Sequence, residues 1–344
     1  MLDAVRTDDF AFDLPPGQVT QQPAEPRDAS RLMLLKRSGD EPPQHHHFRD
    51  LDSLLLPGDL LVVNDTRVMA ARLHGHRPDT GGHVEALLVR RSGPRTWLAM
   101  FKPGRQARPG REFRFESAEG ELQATIAGRD GGLVELEFDC DFDPASAGSV
   151  PLPPYITEYR GDPERYQTVY SRDARSAAAP TAGLHFTPEL LARLRLAGVE
   201  TVAVTLEVGP GTFKPVVARD PREHVLDAEH VSLPPDAATA MNAAKASGRR
   251  VVAVGTTVVR TLEHVARERG QVEPYEGWTG LKILPGDDFR AVDGLITNFH
   301  LPRSTLLMLV CAFAGTERVL GAYREAVAAG YGFYSFGDAM LLLP

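Results

Sequence analysis

Two histidines stand where a proton could be moved. His185 closes Ser176–Phe186 (SAAAPTAGLHF), a run of small residues that lets backbone approach a ligand closely. Thr187 then suits an N-cap and Pro188 a first helical position, and LLARLRLA continues a helix until Gly198. A helix start carries free N–H groups and partial positive charge, which favour a carboxylate or phosphate. An imidazole beside it titrates near neutral pH. His300 repeats the pattern: a short strand Leu295–Phe299 carries Asn298, and His300, Pro302, Arg303, Ser304 and Thr305 lead into an apolar helix. Being apolar all round, that helix is expected to be buried, with Ser304 as its N-cap. A third junction joins the strand VVAV to Gly255-Thr256-Thr257 and a helix. It matches neither GxxxxGK[ST] nor GxGxxG, so a P-loop and a dinucleotide fingerprint are both excluded. A further strand, LLVV, ends in Asn64-Asp65-Thr66-Arg67, and ligands in α/β proteins commonly sit beyond strand ends. Each segment alone also reads as an ordinary turn, Arg67 pairing with Asp65 in the last. Together they predict one site with two imidazoles, several hydroxyls and clustered helix starts.

The elements that must position these residues are α/β in pattern. RLMLLKR (Arg31–Arg37), Val202–Val208 and VVAV read as strands, and Pro234–Gly248 as a helix. His45, His46 and His47 read as a solvated turn. Between 72 and 149 the pattern changes to short alternating runs separated by Gly, Pro and Asp turns, which predicts a small antiparallel β-barrel. The main α/β catalytic domain is therefore expected at 1–71 and 150–344, with the barrel inserted at 72–149. Within the barrel, KPGRQARPGREFR places Lys102, Arg105, Arg108, Arg111 and Arg114 in a basic loop and the strand after it. This is either solvated charge or an RNA-phosphate contact. Glu207 precedes a Gly209-Pro210-Gly211-Thr212 turn.

The chain has 344 residues, 42% of them apolar, and a net charge of −8. That acidity argues against a protein that coats nucleic acid, but a local basic patch can still dock one folded RNA over a Debye length of about 10 Å. No run of eighteen apolar residues exists, and the acidic N-terminus has no signal-like core. The expected location is the cytoplasm, with no membrane partner. Two cysteines, Cys140 and Cys311, make neither a disulfide framework nor a thiolate zinc site, and no metal is expected.

NDTRV, LPPYI, ERYQTVYSR, AAAPTAGLHF, VGPGTFKPV, VAVGTTVVRTLE, DGLITNFHLPRSTLLMLVCAFAG and FYSFGDAMLL occur in this order. Nearly end to end, the chain resembles the S-adenosylmethionine:tRNA ribosyltransferase-isomerases of queuosine biosynthesis. The resemblance implies an α/β domain with an inserted barrel. It also implies transfer of the ribosyl part of S-adenosylmethionine to the aminomethyl group of 7-aminomethyl-7-deazaguanine at the tRNA wobble position. Epoxyqueuosine would form, and adenine and methionine would leave. S-adenosylmethionine would be a co-substrate, with no prosthetic group, and the tRNA anticodon loop the partner. Carried over by motif, His185 and His300 are the catalytic candidates, and Thr181, Thr256, Thr257, Asn298 and Ser304 the S-adenosylmethionine-binding ones. Asn64, Arg67 and Arg303 are the substrate- or tRNA-binding candidates by motif, and Lys102, Arg105 and Arg108 join them from the basic loop. The chain departs from the family's common residues at Gln22 and Leu284, usually Tyr, and at Glu207 and Asp227, usually His. Those departures keep two alternatives open: an S-adenosylmethionine-using enzyme with another acceptor, and a non-catalytic RNA-binding relative.

Overall fold

The computed structural model describes residues 5–118, 120–209 and 216–344. The turn expected at Pro210–Thr212 lies outside them. In chain order the strands are β1 (Arg31–Lys36), β2 (Gln44–His47), β3 (Leu60–Asn64), β4 (Arg67–Val68), β5 (Arg72–His76) and β6 (His83–Arg91). Next come β7 (Thr96–Lys102), β8 (Glu112–Ser117), β9 (Gly120–Asp130), β10 (Leu133–Phe138), β11 (Ala174–Ser176) and β12 (Glu200–Leu206). The last are β13 (Glu229–Leu233), β14 (Val251–Val254), β15 (Tyr275–Thr279), β16 (Gly294–Asn298) and β17 (Ala339–Leu343). The helices are α1 (Leu51–Leu54), α2 (Pro144–Ala147), α3 (Pro188–Leu196), α4 (Pro235–Ala246), α5 (Thr256–Arg269), α6 (Thr305–Ala314) and α7 (Thr316–Ala328).

Two compact units result. One comprises 1–66, 154–172 and 180–344, and the other 67–153 and 173–179. The first unit holds a nine-stranded mixed sheet in the order β15-β13-β12-β3-β14-β16-β17-β1-β2. Its centre, β12-β3-β14-β16, is parallel throughout. These strands are apolar on both sides because both faces are covered. In β3, Leu60 and Val62 join one core while Leu61 and Val63 join the other. Helices α4 to α7 cover the first face, and α3, Phe48 and Phe186 pack on the second. The expected caps form: Thr187 Oγ1 accepts from the Leu190 N–H at 3.1 Å, and Ser304 Oγ from that of Leu307 at 3.2 Å. Leu307, Met308 and Val310 of α6 are fully buried, each such side chain contributing about 1.5–3 kcal/mol. No single helix among the described residues is long and apolar enough to cross a membrane.

The second unit is a closed antiparallel barrel, β10-β7-β6-β5-β8-β9, around Leu73, Leu88, Phe113, Phe115 and Leu136. The fold expectation, α/β with a small antiparallel barrel, is borne out. Beyond 72–149 this unit also takes in Asp173–Ala179, because β11 pairs in parallel with β4. One local expectation is corrected. His45–His47 are not a turn but part of the edge strand β2, antiparallel to β1. His45 is fixed there by the Tyr331 hydroxyl at 2.8 Å and Glu325 at 2.9 Å.

Candidate active site

From β3 the chain reaches β12 by way of α3 on one face, and from β12 it reaches β14 by way of α4 on the other. Such a reversal opens a crevice at the carboxyl ends of the strands, where α/β sheets bind ligands. The residues standing at those ends here are Asn64, Leu206, Gly255 and Asn298.

Asn64 is fully buried. Its Nδ2 donates to the Leu206 carbonyl at 3.0 Å and to Thr257 Oγ1 at 3.3 Å, and its Oδ1 accepts from the Leu206 N–H at 3.1 Å. It therefore ties the ends of β3 and β12 to the first turn of α5. Next to it, Asp65 accepts the Thr205 hydroxyl at 2.7 Å and has Arg172 at 3.6 Å. Gly255, at φ +95°, makes the turn into Thr256 and Thr257, a conformation glycine adopts without strain. A Cβ there would lie 3.6 Å from Ala182, so the Thr181–His185 turn rests against the start of α5.

His185 is buried on the opposite face, stacked on Phe48 at 4.9 Å between ring centroids. Asn298 Nδ2 donates to the Tyr334 carbonyl at 3.1 Å and, with its other hydrogen, to His185 Nε2 at 3.1 Å. Nε2 is then an acceptor, so the ring proton sits on Nδ1 and is donated to Ser30 Oγ at 2.8 Å. Asn298 Oδ1 is buried and has no hydrogen-bond partner among the described residues. Burial, and then the Arg165 and Arg27 guanidiniums, depress the His185 pKa to about 3, so the ring is neutral at physiological pH. The Tyr334 carbonyl that orients Asn298 is held by backbone at φ 74°, a left-handed conformation costing a bulky residue about 1–3 kcal/mol.

His300 lies elsewhere. In β16, Leu295 and Ile296 point to opposite cores, so Thr297 and Asn298 also face opposite sides. Asn298 holds His185. Thr297 Oγ1 is 2.8 Å from His300 Nε2, on the α5–α7 face, where the His300 N–H donates to the Tyr323 hydroxyl at 3.0 Å. Burial alone depresses the His300 pKa to about 3. Its Nδ1 has no partner among the described residues. The two imidazoles are thus held by adjacent residues of one strand on opposite faces of the sheet.

The other candidates divide. Thr181 is half-buried, and Thr256 and Thr257 are buried at the crevice. Both hydrogen-bonding roles of Ser304 are filled, by the Leu307 N–H and the Leu301 carbonyl at 2.8 Å. Arg303 is exposed and bound to Asp8 at 2.9 Å. Arg67, Lys102, Arg105 and Arg108 belong to the barrel unit. Lys102 is 4.0 Å from Glu85, while the exposed Arg105 and Arg108 side chains have no partner among the described residues. Arg129 pins their loop by donating to the Gly104 and Ala107 carbonyls at 3.1 and 2.9 Å.

Of the departures, Glu207 lies 3.5 Å from His230 on the neighbouring strand, and Asp227 is exposed. The small residues of the opening motif also serve an internal contact. A Cβ at Gly183 would lie 2.1 Å from the Tyr170 hydroxyl, so that space belongs to the protein and not to a ligand. Among the described residues no group of three or more His, Cys, Asp or Glu could hold a metal ion.

The fold and these strand ends define an α/β enzyme with buried polar groups along the carboxyl edge of its sheet and a β-barrel as its second unit. The family model described as queuosine biosynthesis protein matches residues 7–342, and the chain belongs to that family. S-adenosylmethionine:tRNA ribosyltransferase-isomerase of Moorella thermoacetica is 55% identical over 346 aligned positions, covering 98% of this chain and 100% of the relative. That of Thermus thermophilus is 53% identical, covering 97% and 98%. The crystal structure of S-adenosylmethionine tRNA ribosyltransferase from Thermotoga maritima, 39% identical, superposes with a TM-score of 0.57 over 97% of this chain and 100% of that one.

Proposed function

We propose that the protein is an S-adenosylmethionine:tRNA ribosyltransferase-isomerase. It moves the ribosyl group of S-adenosylmethionine onto the aminomethyl group of a 7-deazaguanine at the tRNA wobble position. Epoxyqueuosine forms, and adenine and methionine are released. S-adenosylmethionine is consumed as a co-substrate, and the anticodon loop is the part of the tRNA engaged. The observation that carries this reading is the pair of polar groups at one sheet edge, Asn64 with Thr257 and Asn298 with His185, in a chain of this family.

The reaction begins with removal of a proton from the carbon beside the sulfonium, which needs a positioned neutral base. His185 presents Nε2 for it, because Ser30 holds the ring proton on Nδ1. The burial that depresses its pKa has to be relieved when substrate enters for the ring to act as base. Asn298 Nδ2 occupies the Nε2 lone pair until substrate arrives, and Asn298 Oδ1 is a ready acceptor for a ligand donor. His300, buried behind β16, supports that strand. Thr181, Thr256 and Thr257 border the S-adenosylmethionine site, and Arg105 and Arg108 meet tRNA phosphates.

The test is incubation with S-adenosylmethionine and tRNA bearing the precursor base. Free adenine and methionine in equal amounts are expected. S-adenosylhomocysteine as the product would indicate methyl transfer and overturn the reading.

A further inference from the structure

Arg260 is the fifth residue of α5 and is four residues on from Thr256, on the same helix face. Its side chain is 5% exposed. Nη1 is bound to the equally buried Glu229, and Nε donates to the Leu281 carbonyl at 2.9 Å. Glu229 is itself fixed, accepting from the Gly209 N–H at 2.8 Å. Those contacts hold the guanidinium plane in place, yet Nη2 has no hydrogen-bond partner among the described residues. A buried cationic donor left unsatisfied is expensive unless a ligand or water completes it.

Arg260 lines a small cavity of about 10 Å³ with Leu226, Ile283, Thr305, Leu306 and Leu309. That is room for about one oxygen atom. Thr305 and Leu306 are the first two residues of α6, a ten-residue helix, and their N–H groups have no intrahelical acceptor. A guanidinium N–H and a helix start both favour an anionic oxygen. Lys282 also borders the cavity, but its ammonium is committed to the Pro221, Arg222 and His224 carbonyls. Apart from the Thr305 hydroxyl the remaining side chains are aliphatic, so the cavity has positive donors and no carboxylate to hold a cation.

We propose that Arg260 Nη2 and the first turn of α6 form a carboxylate subsite that receives the α-carboxylate of S-adenosylmethionine, an assignment that rests on the function proposed above. α5 and α6 both start beyond the carboxyl ends of their strands, β14 and β16, so the subsite lies on the ligand side of the sheet. Glu229 acts as a positioning residue. It holds the guanidinium so that one N–H edge faces the cavity.

Binding of S-adenosylmethionine and of its decarboxylated analogue, which has hydrogen in place of the carboxylate, is measured by calorimetry on the full chain. The intact protein is expected to prefer S-adenosylmethionine by about ten- to a hundredfold, the worth of a charge-assisted hydrogen bond. Arg260→Gln should reduce that preference to about threefold or less. Removing one partner of a buried pair strands the other, so the Glu229→Gln/Arg260→Gln double variant, which leaves no charge behind, is measured beside it. Its fold is checked by circular dichroism, and it should show the same loss of preference. A double variant that keeps the full preference would assign the cavity to a structural water and overturn the subsite. An intact protein that binds both compounds equally would do the same. An intact protein that binds neither would instead remove the functional reading itself, and the subsite with it.

Discussion

Burial of His185 and His300 in the neutral form has a consequence for both stability and rate. Each ring has a folded pKa of about 3 against an ordinary value of 6.5. The folded pKa of these bases is depressed, so the unfolded chain binds more protons once pH falls below 6.5. Stability is therefore whole above 6.5 and is lost progressively as pH falls toward 3. At pH 5 the unfolded ring lies about 1.5 pH units below its pKa, so each buried histidine costs about 2 kcal/mol relative to pH 8. The rings sit on opposite sheet faces with separate partners, so the two costs should roughly add to about 4 kcal/mol. The chain has eleven histidines, nine besides these two, so the effect is read as the difference between the native chain and each variant. Urea unfolding midpoints at pH 8 and pH 5, for the native chain and for His185→Gln and His300→Gln, read this out. Each substitution should remove about half of the extra acid sensitivity, whatever it does to stability at pH 8. The same neutrality means that neither ring can produce an acid limb near pH 6.5 in kcat. An acid sensitivity that neither substitution reduces, or an acid limb near 6.5 that vanishes in His300→Gln, would refute the burial argument.

In turnover, His185→Ala should lower adenine release by about 10²–10⁴ with the fold intact, as loss of a general base does, while His300→Ala should act mainly on stability. Unchanged turnover in His185→Ala would remove that ring from the chemistry. Gly183→Ala drives a methyl into the Tyr170 hydroxyl and should cost about 1–3 kcal/mol, measured by thermal unfolding. Adding Tyr170→Phe should recover part of the loss, and no recovery would mean the clash lies elsewhere. Neutralising Arg105 and Arg108 together should raise KM for tRNA and flatten its log–log salt dependence by about one unit per lost phosphate contact. KM for S-adenosylmethionine should stay put, and an unaltered salt slope would make the two arginines solvated charge only.

What the sequence made legible was local. The alternation in Val202–Leu206, the caps at Thr187 and Ser304 and the barrel's short runs are periodic or nearest-neighbour signals. Physical rules of that range recover them. The long-range contacts of the buried polar groups are not of that range. Ser30 meets His185 across 155 residues, and Arg260 meets Glu229 across 31 with a different strand between them. No periodicity announces that a serine before β1 will fix a tautomer, or that Tyr170 will occupy the space left by Gly183. One misplacement was nonetheless readable in advance. Thr297 and Asn298 are successive residues of a strand, so their side chains must leave by opposite faces. A histidine held by one therefore cannot share a pocket with a histidine held by the other within that strand. The expectation of a single site with two imidazoles treated strand ends as points. The pleat makes them two-sided, with Ser30, His185 and Asn298 on one face and Thr297 and His300 on the other.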